Sequence, residues 1–257
     1  MRTRIPARPG PALAAFAAYL LVFYGVWMLR GIDYPHIGDD AHTLLNWYVL
    51  PLAAGAVVLV VATSVLGWWR PAVVEDRRLP RWTVVPGVLM AALAVAVLVG
   101  KDFSHTTGAM LLWCVVGSVG VGFCEEFVSR GLLVVGFRPV MSERRVWLAT
   151  GVLFGLLHLP NWVFGAGHAA AVQVVTAALT GSTLYLLRRG SGGLLAAMVV
   201  HGFWDFSAFA GAGHSPLAAA EIVLALVSTG SAFWLTGRDD TSTDHTSTDL
   251  TGEDRTA

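Results

Sequence analysis

Glu125, Glu126 and Arg130 sit together in the stretch Gly-Phe-Cys-Glu-Glu-Phe-Val-Ser-Arg-Gly at 122–131, inside a run otherwise dominated by Val, Leu, Gly, Phe and Trp. If that run crosses a bilayer, each charge costs roughly 2.5 to 3.5 kcal/mol at the helix centre on insertion scales. Glu126 and Arg130 are four apart with the acid on the N-terminal side, the favoured order for an intrahelical ion pair. Glu125 lies about 100° further around a helix of 3.6 residues per turn and faces elsewhere. The spacing predicts a division of labour in which Arg130 neutralises and orients Glu126 and leaves Glu125 free to act. Two further apolar runs carry ionisable groups. His158 closes Phe154-Gly155-Leu156-Leu157-His158, with Pro160 and Asn161 just beyond, and His201-Gly202-Phe203-Trp204-Asp205 puts an imidazole and a carboxylate four apart, hence on one helix face. Two histidines, a free glutamate and an aspartate meeting between helices can activate water, with or without a metal. Membrane-buried groups of this kind can instead relay protons or bind transported ions. For His158 alone, and for the His201–Asp205 pair, the competing reading is a hydrogen-bonded packing role.

The elements that must position these groups are membrane helices. Of the 257 residues, 55% are hydrophobic and only 13% are charged, against about a quarter charged in a soluble domain. Formal net charge is zero, which gives no case for a nucleic-acid partner. Cys114 and Cys124, ten residues apart on one helix, would lie ~15 Å apart, too far for a disulfide. Apolar runs long enough to cross the hydrocarbon core predict an all-α polytopic bundle of about eight spans, at 11–29, 47–69, 83–100, 108–137, 146–164, 168–187, 191–211 and 216–236. The fourth is either one tilted helix or a span running into an amphipathic segment. Gly117, Gly120 and Gly122, and the Gly151/Gly155 pair, are places where helix backbones can come close.

Arginine placement checks the count. Alternate loops hold Arg70, Arg77, Arg78 and Arg81, then Arg138, Arg144 and Arg145, then Arg188 and Arg189, whereas the intervening loops carry only Arg30 and Lys101 at their edges. Cytoplasmic loops collect Lys and Arg, so both termini are expected in the cytoplasm of a multi-pass cell-membrane protein. The expected organisation is a cytoplasmic segment at 1–10, N-terminal membrane helices at 11–105, a catalytic core at 106–236 and a disordered cytoplasmic tail at 237–257, where Thr-Ser-Thr-Asp recurs in a polar context. No role is assigned to His36, His42, His105, His168 or His214.

Glu-Glu-x-x-x-Arg at 125–130, Phe-x-x-x-His at 154–158 and His-x-x-x-Asp at 201–205, in that order on separate apolar spans, resemble the CPBP family of intramembrane proteases, which includes the type II CAAX prenyl endopeptidases and the bacterial Abi proteins. The resemblance implies that Glu125 and His158 activate the water that attacks a peptide carbonyl, and that Glu126 and Arg130 hold the geometry. It further implies that His201 and residue 205 stabilise the oxyanion or, in the metalloprotease reading, join a metal site such as Zn²⁺ with Glu125, His158, His201 and Asp205 as candidate ligands. Asp205 departs from the Asn of the eukaryotic enzymes. Asn donates to an oxyanion, whereas an ionised Asp only accepts, so Asp205 is protonated, or orients His201, or ligates a metal. The expected function is endopeptidase action in or beside the membrane from the cytoplasmic side, on a peptide or protein substrate that CAAX-type processing would present with a lipid. The alternatives are a non-catalytic membrane immunity or scaffold protein and a proton-coupled transporter.

Overall fold

A computed structural model describes residues 3–213 and 217–249. His214 and residues 250–257 fall outside this range. The described chain is helical, with β pairing reduced to two isolated bridges, Val74 with Gly193 and Asp102 with Ala212. In chain order the helices are α1 (Pro9–Arg30), α2 (Ala41–Leu66), the short α3 (Trp69–Val73), α4 (Arg81–Val99), α5 (Gly108–Phe137), α6 (Glu143–Leu156), α7 (His168–Ser191), α8 (Leu195–Phe209) and α9 (Ala218–Asp249). Six of them, α1, α2, α4, α5, α7 and α9, are long and apolar enough to cross a membrane. The all-α polytopic bundle is therefore as expected.

Local chemistry sets the helix ends. Pro9 opens α1, where its missing N–H costs nothing. The Thr107 hydroxyl accepts from the Met110 N–H at the start of α5, and Asp40 and Thr43 form a reciprocal capping box at the start of α2. Gly192, at φ +84°, takes the left-handed conformation that ends α7 and turns the chain directly into α8.

Two expected spans are shorter than they read. The run at 146–164 is not one helix. α6 stops at Leu156 and a 3₁₀ turn follows at Leu159–Trp162, because Pro160 has no N–H to continue the α ladder. The run at 191–211 shortens to the 15 residues of α8, about 22 Å long. The fourth run resolves to a single helical path whose ladder widens to a π-helix at Phe127–Leu133. Every residue from Cys124 to Phe137 is buried, so this end is not an amphipathic surface segment. The tail boundary expected at Gly237 falls inside α9, whose residues 239 and 240 are bound: Asp239 pairs with Arg189 at 2.5 Å, and the Asp240 carboxylate accepts from the Glu143 N–H at 2.7 Å.

The two ends of the bundle differ in chemistry. At one end the chain near Ile5 meets Trp68, whose indole N–H donates to the Ile5 carbonyl, and the loops after α2, α5 and α7 interlock through buried ions. Glu75 pairs with Arg138 at 3.0 Å and Arg188 at 2.9 Å, and Glu143 pairs with Arg77, Arg138 and Arg189 at 2.8 to 3.0 Å. Burial alone would raise the Glu143 carboxyl, but Arg138 and Arg189 beside it pull it down to about 2. At the other end the loops are tied by backbone bonds, Tyr34 N–H to the Phe164 carbonyl and Asp102 with Ala212 in both directions. Loops that alternate along the chain thus gather at opposite ends of the bundle.

Candidate active site

Three helices deliver the polar groups to one point. α5 and α8 cross at glycines: a Cβ on Gly122 would collide with the Met198 carbonyl oxygen, and one on Gly202 would lie 2.6 Å from the Ser118 carbonyl oxygen. This backbone-to-backbone approach puts His201 against Glu126. α6 meets α7 in the same way at Gly155, where a Cβ would collide with the Val174 carbonyl. The close-packing role read for Gly122 and Gly155 is what the helices use them for.

The ion pair read from sequence is present. Arg130 Nη1 donates to Glu126 Oε1 at 2.7 Å, with both groups fully buried. The same oxygen pairs with His201 Nδ1 at 2.9 Å. A carboxylate oxygen only accepts, so His201 Nδ1 carries the proton and its Nε2 points into the centre. His158 is oriented by the opposite kind of anchor. Its Nδ1 lies 3.0 Å from the Phe154 carbonyl, which likewise requires a proton on Nδ1 and leaves Nε2 bare in the neutral ring. Phe154 organises the group: the Arg130 guanidinium sits 3.8 Å above its ring centre, and both imidazoles pack edge-on to it at 5.4 and 5.6 Å.

Glu125 faces this arrangement rather than Arg130. Its Oε2 lies 3.8 Å from His158 Nε2 and 4.0 Å from His201 Nε2, and His201 Nε2 lies 4.0 Å from Asp205 Oδ1. Glu125 Oε2 is buried and has no protein hydrogen-bond partner. The structure therefore brings all six sequence-derived residues together: Glu126 and Arg130 as a buried pair, and Glu125, His158, His201 and Asp205 around a common space. His158 rides on the turn that follows α6 and so reaches Glu125 from outside the helix.

The donor set suits a divalent metal in type, because both imidazoles offer Nε2 with Nδ1 anchored to an oxygen, the usual outer-shell arrangement of metal-binding histidines. The spacing does not. Tetrahedral Zn²⁺ with ligands at 2.0–2.1 Å needs donor atoms about 3.3 Å apart, and these stand at 3.8 to 4.0 Å. Among the described residues no three His, Cys, Asp or Glu side chains are close enough together to hold a metal ion. These separations, each too long for a direct hydrogen bond, match groups bridged by one water.

Two cavities meet here. One, of about 260 Å³, lies against Glu125, His158, His201 and Asp205 and is walled by Tyr24, Tyr34 and other aromatic residues. The second, of about 480 Å³, touches His158, His201 and Asp205 from the other side and runs between α7 and α9. A polar ladder lines the first: the Tyr24 hydroxyl, which donates to the Leu157 carbonyl at 2.5 Å, lies 3.2 Å from Asn161 Oδ1, Asn161 Nδ2 donates to Gln173 Oε1 at 2.9 Å, and Gln173 Nε2 to the Tyr34 hydroxyl at 3.1 Å. Sequence reasoning passed over Gln173 and Tyr34, which lie far from any motif. It also passed over Gly181, where a Cβ would come within 2.5 Å of Arg130 Nη2. Asn161, next to Pro160, was visible but given no task. Arg188 was read as a loop charge and is fully buried, donating to the carbonyls of Ala72 and Pro71 and, by a short contact, Arg130. The signal available for it was its place in the last turn of a long apolar helix.

Residues 107–207 match the family model described as Type II CAAX prenyl endopeptidase Rce1-like. The resemblance read from the three motifs is borne out over this segment, which is less than half of the chain but holds all six site residues. The matching family is one of proteases, and with the apolar helices it marks a multi-pass membrane protein. No curated protein and no solved structure matches the chain.

Proposed function

We propose that the protein is an intramembrane endopeptidase of the bacterial branch of this family, in which Glu125 and His158 activate a water for attack on a peptide carbonyl. The observation that carries the reading is the convergence of Glu125 Oε2 and His158 Nε2 at 3.8 Å, two acceptors placed to share one water between them. Glu125 takes a proton from that water, and the oxygen adds to the carbonyl carbon. The tetrahedral oxyanion that forms is met by His201 Nε2 in its protonated form, an imidazolium whose Nδ1–H is held by the Glu126 carboxylate. Glu125 then returns its proton to the leaving nitrogen as the C–N bond breaks. General acid–base steps of this kind are worth about 10² to 10⁴ in rate.

Asp205, too far from His201 for a direct bond, reaches it through a bridging water and keeps the ring turned toward the centre. The donors a Zn²⁺ would need, Glu125, His158, His201 and Asp205, stand wider apart than its tetrahedral ligands. The substrate is a peptide or protein segment at the membrane, and CAAX-type C-terminal processing is the finer assignment supported by the matching family's description.

The test is proteolysis by purified Glu125→Ala and His158→Ala proteins that retain the helical signature of the parent. Both are expected to be inactive, and normal turnover by Glu125→Ala overturns the mechanism. Activity that survives complete metal removal supports the glutamate–water route, and loss restored by Zn²⁺ assigns the four donors to a metal. The scaffold alternative requires that Glu125→Ala still complements a deletion.

A further inference from the structure

Access to Glu125 is not symmetric across the bundle. Toward the arginine-rich end, α5 is buried without interruption from Cys124 to Phe137. Beyond it, Arg188 and Glu75, both fully buried, close the space between the loops after α2 and α7, with Arg188 bonded to the Arg130 carbonyl itself. Glu143 and Arg189 extend the same plug, pairing at 2.9 Å. An open passage through this layer would have to break several buried charge pairs, each costing about 3–5 kcal/mol when one partner is stripped away.

Toward the opposite end the geometry is the reverse. The cavity against Glu125 is rimmed by Tyr34, Ala208 and Phe209. The same three residues border a further pocket of about 470 Å³ among the end loops, with Asp39, Lys101 and His105 on its walls. Vestibule and site cavity therefore abut, with Tyr34, Ala208 and Phe209 as the wall between them.

We infer that peptide substrates reach Glu125 from the face opposite the arginine-rich loops, entering by the vestibule lined by Asp39, Lys101 and His105. By the distribution of Arg and Lys between the ends, that face is extracytoplasmic, so the protein cuts segments exposed on the outer side of the membrane. This replaces the cytoplasmic approach expected from sequence and, with it, a CAAX-type substrate presented on that side. It rests on the protease reading only for what happens to the segment once it arrives.

The test reads access without proteolysis. In a Cys114→Ala, Cys124→Ala background, Glu125→Cys is exposed to a small membrane-impermeant thiol reagent in intact cells and in inverted vesicles. His105→Cys and Ser142→Cys report the two faces, both being exposed positions. Glu125→Cys is expected to label in intact cells together with His105→Cys, and to be spared when the reagent is confined to the side of Ser142→Cys. Labelling from the Ser142 side, or from neither side, overturns the inference, as does labelling of His105→Cys only in inverted vesicles. Asp205→Cys serves as a second reporter at the same cavity should the Glu125 variant fail to accumulate. Labelling of Glu125→Cys as expected, together with no peptide cleavage by the parent protein, refutes the protease reading and leaves the access route standing.

Discussion

The crossing of α5 and α8 gives a prediction whose size follows from the geometry. Replacing Gly202 by Ala puts a Cβ 2.6 Å from the Ser118 carbonyl oxygen, where ordinary contact begins at 3.4 Å. The obstacle is helix backbone and cannot rotate away, so the helices must part by at least about 0.8 Å to restore normal contact. The residue next door is His201, whose Nδ1 lies 2.9 Å from Glu126 Oε1. Moving it by that amount takes the pair past the ~3.6 Å beyond which no hydrogen bond remains. His201 then loses both its orientation and the carboxylate that stabilises its imidazolium. Misplacement on the order of 1 Å costs about 10²-fold in rate, and overpacking a tight contact costs about 1–3 kcal/mol of stability. The assay is kcat/KM for peptide cleavage beside thermal unfolding in detergent, with Gly25→Ala and Gly230→Ala as controls, since an added Cβ meets nothing within 4 Å at either position. Wild-type kcat/KM in a folded Gly202→Ala protein would refute the claim that this crossing sets the position of His201.

Other perturbations probe the rest of the molecule. Glu126→Gln keeps the shape but leaves the buried Arg130 without its counter-charge, so a stability loss of about 3–5 kcal/mol is expected by denaturant titration. Arg188→Ala removes one of the two arginines on Glu75 and the side-chain donor to three carbonyls, and a loss of similar size is expected; Glu75→Met combined with Arg188→Met should recover part of it, read by the same titration. The Glu143 carboxyl sits below its ordinary range in the folded protein, at about 2. Its contribution is thus complete above about pH 4.5 and lost as pH falls from there toward 2, worth about 3 kcal/mol across that window. Unfolding followed against pH should show this loss in the parent and a flatter profile in Glu143→Gln.

Much of the site was legible in advance because helical spacing is rigid: a glutamate and an arginine four apart on one helix have one natural way to meet, and Glu126 and Arg130 meet that way. The convergence of Glu125, His158 and His201 was legible only as three polar groups on separate apolar runs, because the packing that joins them is set by the Gly122, Gly155 and Gly202 crossings and by the turn after α6. Long-range packing was beyond periodicity. Nothing in the spacing of Gln173 or Tyr34 connects them to each other, since the polar ladder joins residues 139 positions apart. The arginine-rich loops misled in one respect. Arg138, Arg188 and Arg189 read as solvated charges marking a membrane face, yet they are largely withdrawn from solvent around Glu75 and Glu143, and the plug they build bears on the direction of access.

The bond from Asp240 to the Glu143 N–H has a consequence for biogenesis. The Ser142 side chain does not cap α6, so the first turn of the helix that leads to Phe154 and His158 takes its cap from α9, almost a hundred residues later. A nascent chain that has inserted α5 through α8 already holds all six candidate site residues but lacks both Asp239 and Asp240. Until the last helix docks, the Glu143 N–H lacks its acceptor, although Arg77, Arg138 and Arg189 already hold the Glu143 carboxylate. The first turn of that helix is thus completed only when synthesis is.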